Sequence, residues 1–356
     1  MNSNFAKIIL VLLFLLAGSL FFHNFTSINA DIGRHIKLGE IIWQTKEVPK
    51  INLFSYTAPD YPFINHHWLS EVIFYGVYSL GNGLVAGLKF IMAFKVAMLL
   101  ATYLTLFLIV KKNNILSIVA AFITSVFVFT ARTEARPEIF SYLIFAIYLF
   151  LIYRAREAKY SDRGGFNWLW LLPLLQLLWV NLQIYFIIGP IIYFLFLADR
   201  LSVFKKISPK ETYIGALIII VNLFNPNFYE GAIYPLKVLQ NYGYSVAENS
   251  SLFFLADYFG QWAPQDKLFL ASVFVLILSF VFRFLIGGKI LDKIRANVFN
   301  IFLVLFTAIL SFKMQRNIPL FALSIFPVLS HNLNPFFDKI KLRKVLQFLY
   351  VSVIFI

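Results

Sequence analysis

Acids and imidazoles gather just beyond the first apolar run. Asp31-Ile-Gly-Arg34-His35-Ile-Lys37-Leu-Gly-Glu40 opens the segment, and Phe63-Ile-Asn65-His66-His67-Trp68-Leu-Ser-Glu71 closes it. His67 and Glu71 stand four apart and so share a helical face. A carboxylate in such a setting acts as a base or positions an acceptor. Asp31 is the candidate, and a plain N-cap is its competing role. His35, His66, His67, Asp31 and Glu71 also offer nitrogen and oxygen ligands to a divalent cation. No tight ligand spacing such as H-E-x-x-H occurs, which favours a hydrogen-bond network over a permanently bound metal and leaves the metal open.

Cations stand in two further places. Thr130-Ala-Arg132-Thr-Glu134-Ala-Arg136-Pro137-Glu138 and Phe312-Lys313-Met-Gln-Arg316-Asn-Ile-Pro319 each join two apolar runs through a tight hairpin. Arg132, Arg136, Lys313 and Arg316 there either snorkel to a membrane interface or cradle a phosphate, whose oxygens a guanidinium fork matches two at a time. Lys89 and Lys95 lie inside a long apolar run, where a cation is costly and usually functional or paired.

These residues are carried by a chain of 356 residues that is 60% hydrophobic and only 13% charged. A soluble domain carries about 25% charged residues, so a soluble enzyme, a disordered chain and a repeat solenoid are excluded. With no Cys, disulfides, zinc knuckles and thiol chemistry are excluded too. The composition is that of an all-α polytopic membrane protein. Runs at or near the length of a span occupy 6–22, 84–110, 115–131, 138–153, 167–182, 184–198, 212–225, 268–286, 297–312 and 317–330. Val345–Ile356 is shorter and reads as a truncated, re-entrant or interfacial segment. The expectation is a single domain over residues 1–356 with about 10–11 transmembrane helices.

Lys and Arg orient the chain. With the N-terminus cytoplasmic, the inner loops collect most of them, including Lys111, Lys112, Lys205 and Lys206, and nearly all of the net charge of +14 becomes a positive-inside asymmetry. Nucleic acid is excluded as a partner on that ground. Lys7 followed by an apolar run and Ser27-Ile28-Asn29-Ala30 also has the form of a signal peptide, but retention of the first helix suits the charge pattern equally well. Two long extracytoplasmic loops result, about 23–66 and about 226–267. Loops of that length are usually functional or disordered, and the first is too rich in Trp, Tyr, Phe and Ile for disorder. Residues 31–43 within it read as an amphipathic surface helix with Ile32, Ile36 and Trp43 along one side and Gly39 between them. Asn24-Phe-Thr26 and Asn249-Ser-Ser251 match a glycosylation pattern that is short enough to be chance.

Asp31-Ile-Gly33-Arg-His35, Gly39-Glu40, Phe54-Ser55-Tyr56-Thr57 and His67-Trp68-Leu69-x-Glu71 resemble the first outer loop of bacterial GT-C glycosyltransferases. Arg136-Pro137-Glu138, Trp179-x-Asn181-Leu182, Asn225-Pro226 and Arg316-Asn-Ile-Pro look like later stretches of the same group, so the resemblance runs from Asp31 to about Pro327. The group includes protein O-mannosyltransferases, aminoarabinose transferases of lipid A and lipopolysaccharide-core transferases. The resemblance implies a GT-C-like bundle in the cell membrane. It implies transfer of a sugar from a polyprenyl-phosphate carrier to an extracytoplasmic glycan, lipid or protein. Asp31 would be the catalytic acid by position, and Arg136, Arg316, Arg132 and Lys313 would bind the carrier phosphate. His35, His67, Glu71 and Asn181 would serve in support or on the acceptor side, with no cofactor certain and a divalent cation left open. One carboxylate would give single displacement with inversion, by analogy with glycosidases. Two departures stand out: Gln183 occupies the position where the group leads one to expect His, and Ile32 follows Asp31 where the protein mannosyltransferases have a second acid.

Rival functions are a transporter or flippase of lipid-linked sugars, which Lys95 favours, and a non-catalytic envelope-assembly subunit. Transporters place polar sites near the midplane between repeated halves. Here the acids cluster outside the spans and the sequence has no internal repeat.

Overall fold

The computed structural model describes residues 3–22, 31–158, 168–238, 247–285 and 289–339. The Asn24 and Ser27–Ala30 patterns, part of each long loop and the run Val345–Ile356 lie outside them. Among the described residues the regular structure is helical, with turn and coil between the helices and one isolated antiparallel bridge, Ile51 to Pro62. In order the helices are α1 (Ser3–Phe21), α2 (Asp31–Thr45), α3 (Trp68–Tyr78), α4 (Leu84–Val110), α5 (Ile115–Phe129), α6 (Glu138–Ala158), α7 (Leu171–Leu182) and α8 (Ile188–Phe204). They continue as α9 (Pro209–Ile220), α10 (Phe228–Val238), α11 (Leu252–Tyr258), α12 (Pro264–Leu285), α13 (Ile290–Ala296), α14 (Val298–Lys313) and α15 (Ile318–Phe337).

The chain is thus a multi-pass helical membrane protein by length and apolarity. Six stretches are long and apolar enough to cross a bilayer: 4–21, 84–110, 138–157, 184–204, 264–285 and 315–337. Two bent pairs raise the number to eight if each is one span: residues 209–223 with 228–237, bent by 99°, and 290–296 with 298–313, bent by 65°. Local chemistry sets the ends. Ser208 and Glu211 form a capping box at α9, with Pro209 at the first helical position, and Lys205 ends α8 in the left-handed region. Asn114 caps α5 by accepting from the Leu116 N–H.

The chain divides into two compact units. One comprises residues 1–20, 106–132 and 247–356. At its centre is α15, buried along most of its length and packed on α5, α12 and α14. Ser117, Ala121 and Ser125 recur every fourth residue of α5 and are all buried. Small side chains of this kind let helices approach without a bulky interface. Ser125 donates across it to the Ala322 carbonyl at 2.6 Å. At one end of the same interface Asn113 donates to Ser330 Oγ at 2.9 Å.

The other unit comprises residues 21–105 and 133–246. Here α6 is the most buried span. Arg156 forks onto Asp199 at 2.9 and 3.2 Å, and Arg200 meets Glu211 at 2.9 Å, which ties α6, α8 and α9 by charge. Gln176 on α7 donates to the Phe186 carbonyl and Asn222 and accepts from Tyr148. Buried polar groups of this sort are tolerated only when satisfied, and here every partner comes from the same unit.

In this unit α2 also lies on α3. Its buried side is Ile32, His35, Leu38, Gly39 and Ile42, whereas Ile36 is half-buried and Trp43 is 56% exposed. The face expected from apolar spacing is therefore corrected by one polar residue: His35 turns inward because Glu71 awaits it. A Cβ on Gly39 would stand 2.0 Å from the Glu71 carbonyl oxygen, so the two backbones meet where only glycine fits. Gly39→Ala should lower the Tm, since overpacking typically costs about 1–3 kcal/mol. Gly33→Ala in the same helix, with nothing within 4 Å of its Cβ, should leave the Tm unchanged or raise it. Thermal unfolding in detergent checks the pair, and equal Tm values would contradict this packing.

Candidate functional site

The α2–α3 contact closes over a buried polar cluster. Glu71 is fully buried, and His35 Nδ1 lies 2.9 Å from its Oε1. Asn65 donates from Nδ2 to the other carboxylate oxygen at 2.7 Å and accepts the His67 backbone N–H at 3.1 Å. The His67 ring stands edge-on to His35 at 5.6 Å between centroids and close to His66 at 3.9 Å. Among the described residues, no group of three or more His, Cys, Asp or Glu is arranged to hold a metal ion. The acids and imidazoles gathered by the sequence thus include a hydrogen-bonded helix clamp, His35–Glu71–Asn65.

Asp31 is the first residue of α2, one turn before His35. Its Oδ2 lies 3.6 Å from Arg136 Nη2. The acid is 47% exposed and the guanidinium 21%. Arg136 comes from residues 130–137, the link before α6, where its N–H donates to the Glu134 carbonyl at 3.0 Å. An accessible carboxylate and an accessible guanidinium therefore stand together, one fixed by the α2–α3 clamp and the other by a turn at the head of the most buried span.

Nearby in the chain, α3 opens with Trp68, whose indole N–H donates to Asn181 Oδ1 at 2.9 Å. Asn181 in turn donates to the Phe224 carbonyl at 2.9 Å. Asn65, His66 and Trp68 line a small cleft with Val180, Asn225, Pro226 and Gly231. Gln183, the departure from the expected His, accepts from the Tyr185 N–H at 2.6 Å and from Ser141 at 2.9 Å. It caps the 3₁₀ turn Ile184–Ile187 that leads into α8, so its amide has a local structural task.

The remaining candidates belong to the other unit. Arg132 Nη1 meets Glu248 Oε2 at 2.8 Å, and Arg316 Nη1 stands 4.0 Å from Glu248 Oε1 and 3.0 Å from Asn249 Oδ1. Lys313 is exposed in the last turn of α14, where a cation complements the helix dipole. Arg136 and Arg316, expected to share one phosphate, fall in different units. Sequence reasoning missed Glu248, a lone acid without periodicity; the hairpin arginines were the only hint that an anion belonged beside them. Asn249 and Ser251 of the glycosylation pattern are engaged, the first with Arg316 and the second as the N-cap of α11.

Comparison with models of known families, with curated proteins and with solved structures found no match for this chain.

The two acids near α2 separate by stability. Glu71→Ala strands the buried His35 and Asn65 and should cost about 3 kcal/mol, at the upper end for buried groups left unsatisfied. Asp31→Asn, at an accessible position, should change stability by no more than about 0.5 kcal/mol. Denaturant or thermal titration in detergent reads both, and an equal loss would contradict this division between clamp and site.

Proposed function

We propose that this chain is an integral-membrane glycosyltransferase of the GT-C type. It moves a sugar from a polyprenyl-phosphate carrier to an acceptor hydroxyl or amine outside the cytoplasm. The observation that carries the reading is the Asp31–Arg136 pair, 3.6 Å apart, with the acid half-exposed and the guanidinium part-buried. Transfer from such a donor asks for two groups. As the acceptor attacks the anomeric carbon, a base takes its proton; this is the part of Asp31. As the bond from that carbon to the phosphate oxygen breaks, its electron pair stays on the phosphate, and a cation already in place stabilises the charge; this is the part of Arg136. A single displacement of this kind inverts the anomeric centre.

The other residues divide into support and second contacts. His35 and Glu71 hold α2, and with it Asp31, while Asn181 fixes the ring of Trp68 on the acceptor side. Arg132, Arg316 and Lys313 are lipid-phosphate ligands within their own unit. In the membrane the short apolar helices 115–129 and 168–182 complete a bundle of about ten crossings, shorter than a lipid-facing span needs but shielded by neighbours. The positive-inside rule puts the N-terminus in the cytoplasm and α2 on the outer surface. Lys95, buried in α4, is the observation that favours transport instead, because an intramembrane cation often marks a substrate path.

Two measurements test the reading. Thr57→Cys, in the exposed segment before α3, should react with an impermeant thiol reagent in intact cells, and Lys206→Cys, between α8 and α9, should not; the reverse pattern would overturn the orientation. Arg136→Lys keeps the charge and loses the planar fork. It should weaken binding of undecaprenyl phosphate in nanodiscs by about tenfold, the effect of losing about 1.4 kcal/mol. Unchanged binding would remove Arg136 from the site.

A further inference from the structure

Among the cationic candidates, Arg132 and Arg316 already share an anion. Each oxygen of Glu248 faces a different guanidinium, Oε2 toward Arg132 at 2.8 Å and Oε1 toward Arg316 at 4.0 Å. One carboxylate thus bridges two guanidinium groups. The acid is also the most accessible of the three, at 31% against 11% for Arg132 and 17% for Arg316. A phosphate presents to two arginines the same feature that this carboxylate does, a pair of anionic oxygens.

We propose that Glu248 is the resident anion of an Arg132–Arg316 site for the phosphate of a membrane lipid, and that the lipid must displace it to bind. The proposal rests on the reading of these arginines as lipid-phosphate ligands and adds the gate to it. The strap that bears Glu248 has anchors besides its two ion pairs. Ser250 accepts the Gln315 N–H at 3.1 Å, Arg316 donates to Asn249 at 3.0 Å, and Phe253 stacks on Phe312 with centroids 5.9 Å apart. Glu248 can therefore swing off the arginines while the backbone around it stays docked. The acid is the most exposed member, and ion pairs open to water contribute little, on the order of 1 kcal/mol, so displacement by a ligand of higher charge is accessible.

The test uses the whole protein in phosphatidylcholine nanodiscs, titrated with undecaprenyl phosphate, with phosphatidylglycerol and with inorganic phosphate. Glu248→Gln keeps the shape and removes the charge. It should bind undecaprenyl phosphate about fivefold more tightly, the equivalent of about 1 kcal/mol, and adding Arg316→Gln should abolish the gain. An equal gain for phosphatidylglycerol supports the gate and assigns the site to bulk lipid, which removes these two arginines from carrier binding. A gain confined to inorganic phosphate overturns the lipid as ligand. No gain for any of the three, or a gain that survives Arg316→Gln, overturns the proposal whatever Arg136→Lys does to carrier binding. If Glu248→Gln fails to fold, Glu248→Asp, which withdraws the charge from the arginines, reads the same gain or its absence.

Discussion

The close approach of α2 and α3 at Gly39 is the constraint on which the candidate site depends. With no side chain at that position, the α2 backbone comes down onto the Glu71 carbonyl, and the buried faces of both helices close over one carboxylate. That carboxylate is satisfied by His35 from one helix and Asn65 from the loop before the other. A buried acid without those partners would be strongly destabilising, so the helices are held in one register by polar chemistry as well as by shape. One turn earlier along α2, the same register sets Asp31 beside Arg136. Catalytic geometry demands that reacting groups be held on rigid elements by their neighbours. The clamp provides that at the start of α2.

Charge is handled by one physical rule throughout both units. Arg156–Asp199 and Arg200–Glu211 are closed pairs with both members largely buried, and they serve to join helices. In Asp31–Arg136 and Arg132–Glu248–Arg316 the acids are part-exposed, and one contact in each is long, 3.6 and 4.0 Å. Buried pairs contribute little net stability and lose much when broken, which suits them to architecture. Open pairs are weakly bound and can exchange a partner for a ligand. The two groups are separated by their acids, 4% and 9% exposed in the helix-joining pairs against 47% and 31% in the others, and not by their arginines.

Much of the architecture was legible in the sequence, because apolar runs bounded by caps and charges leave few alternatives. All ten runs at or near span length return as helices, six long, two short and two as bent pairs. Their lengths were less legible. A run such as 115–131 contains a helix of 15 residues, about 22 Å at 1.5 Å per residue, because Thr130 and Ala131 turn away toward Arg132. The buried stripe of α2 was misread because apolar spacing favours Ile36 and Trp43 over a histidine, and only the distant Glu71 explains the choice. Glu248 was invisible for the same reason: its meaning lies in Arg132 and Arg316, 116 and 68 positions away in the chain. The division into two units was also hidden, since each unit is assembled from separated stretches of the chain.

The central claim is that Asp31 takes the acceptor's proton beside an arginine that holds the carrier phosphate. Asparagine caps a helix as well as aspartate does, but it cannot accept a proton. Mass spectrometry of lipid-linked sugars and envelope glycans should be run on cells lacking this chain, on cells with the parent and on cells with Asp31→Asn. The account predicts that the Asn variant accumulates in the membrane at the parent's level yet leaves the carrier-linked sugar unconsumed and the glycan unmodified, as in its absence. Loss of a general base typically lowers a rate by about 10²–10⁴-fold. Glycans from the Asn variant that match those of the parent would contradict it.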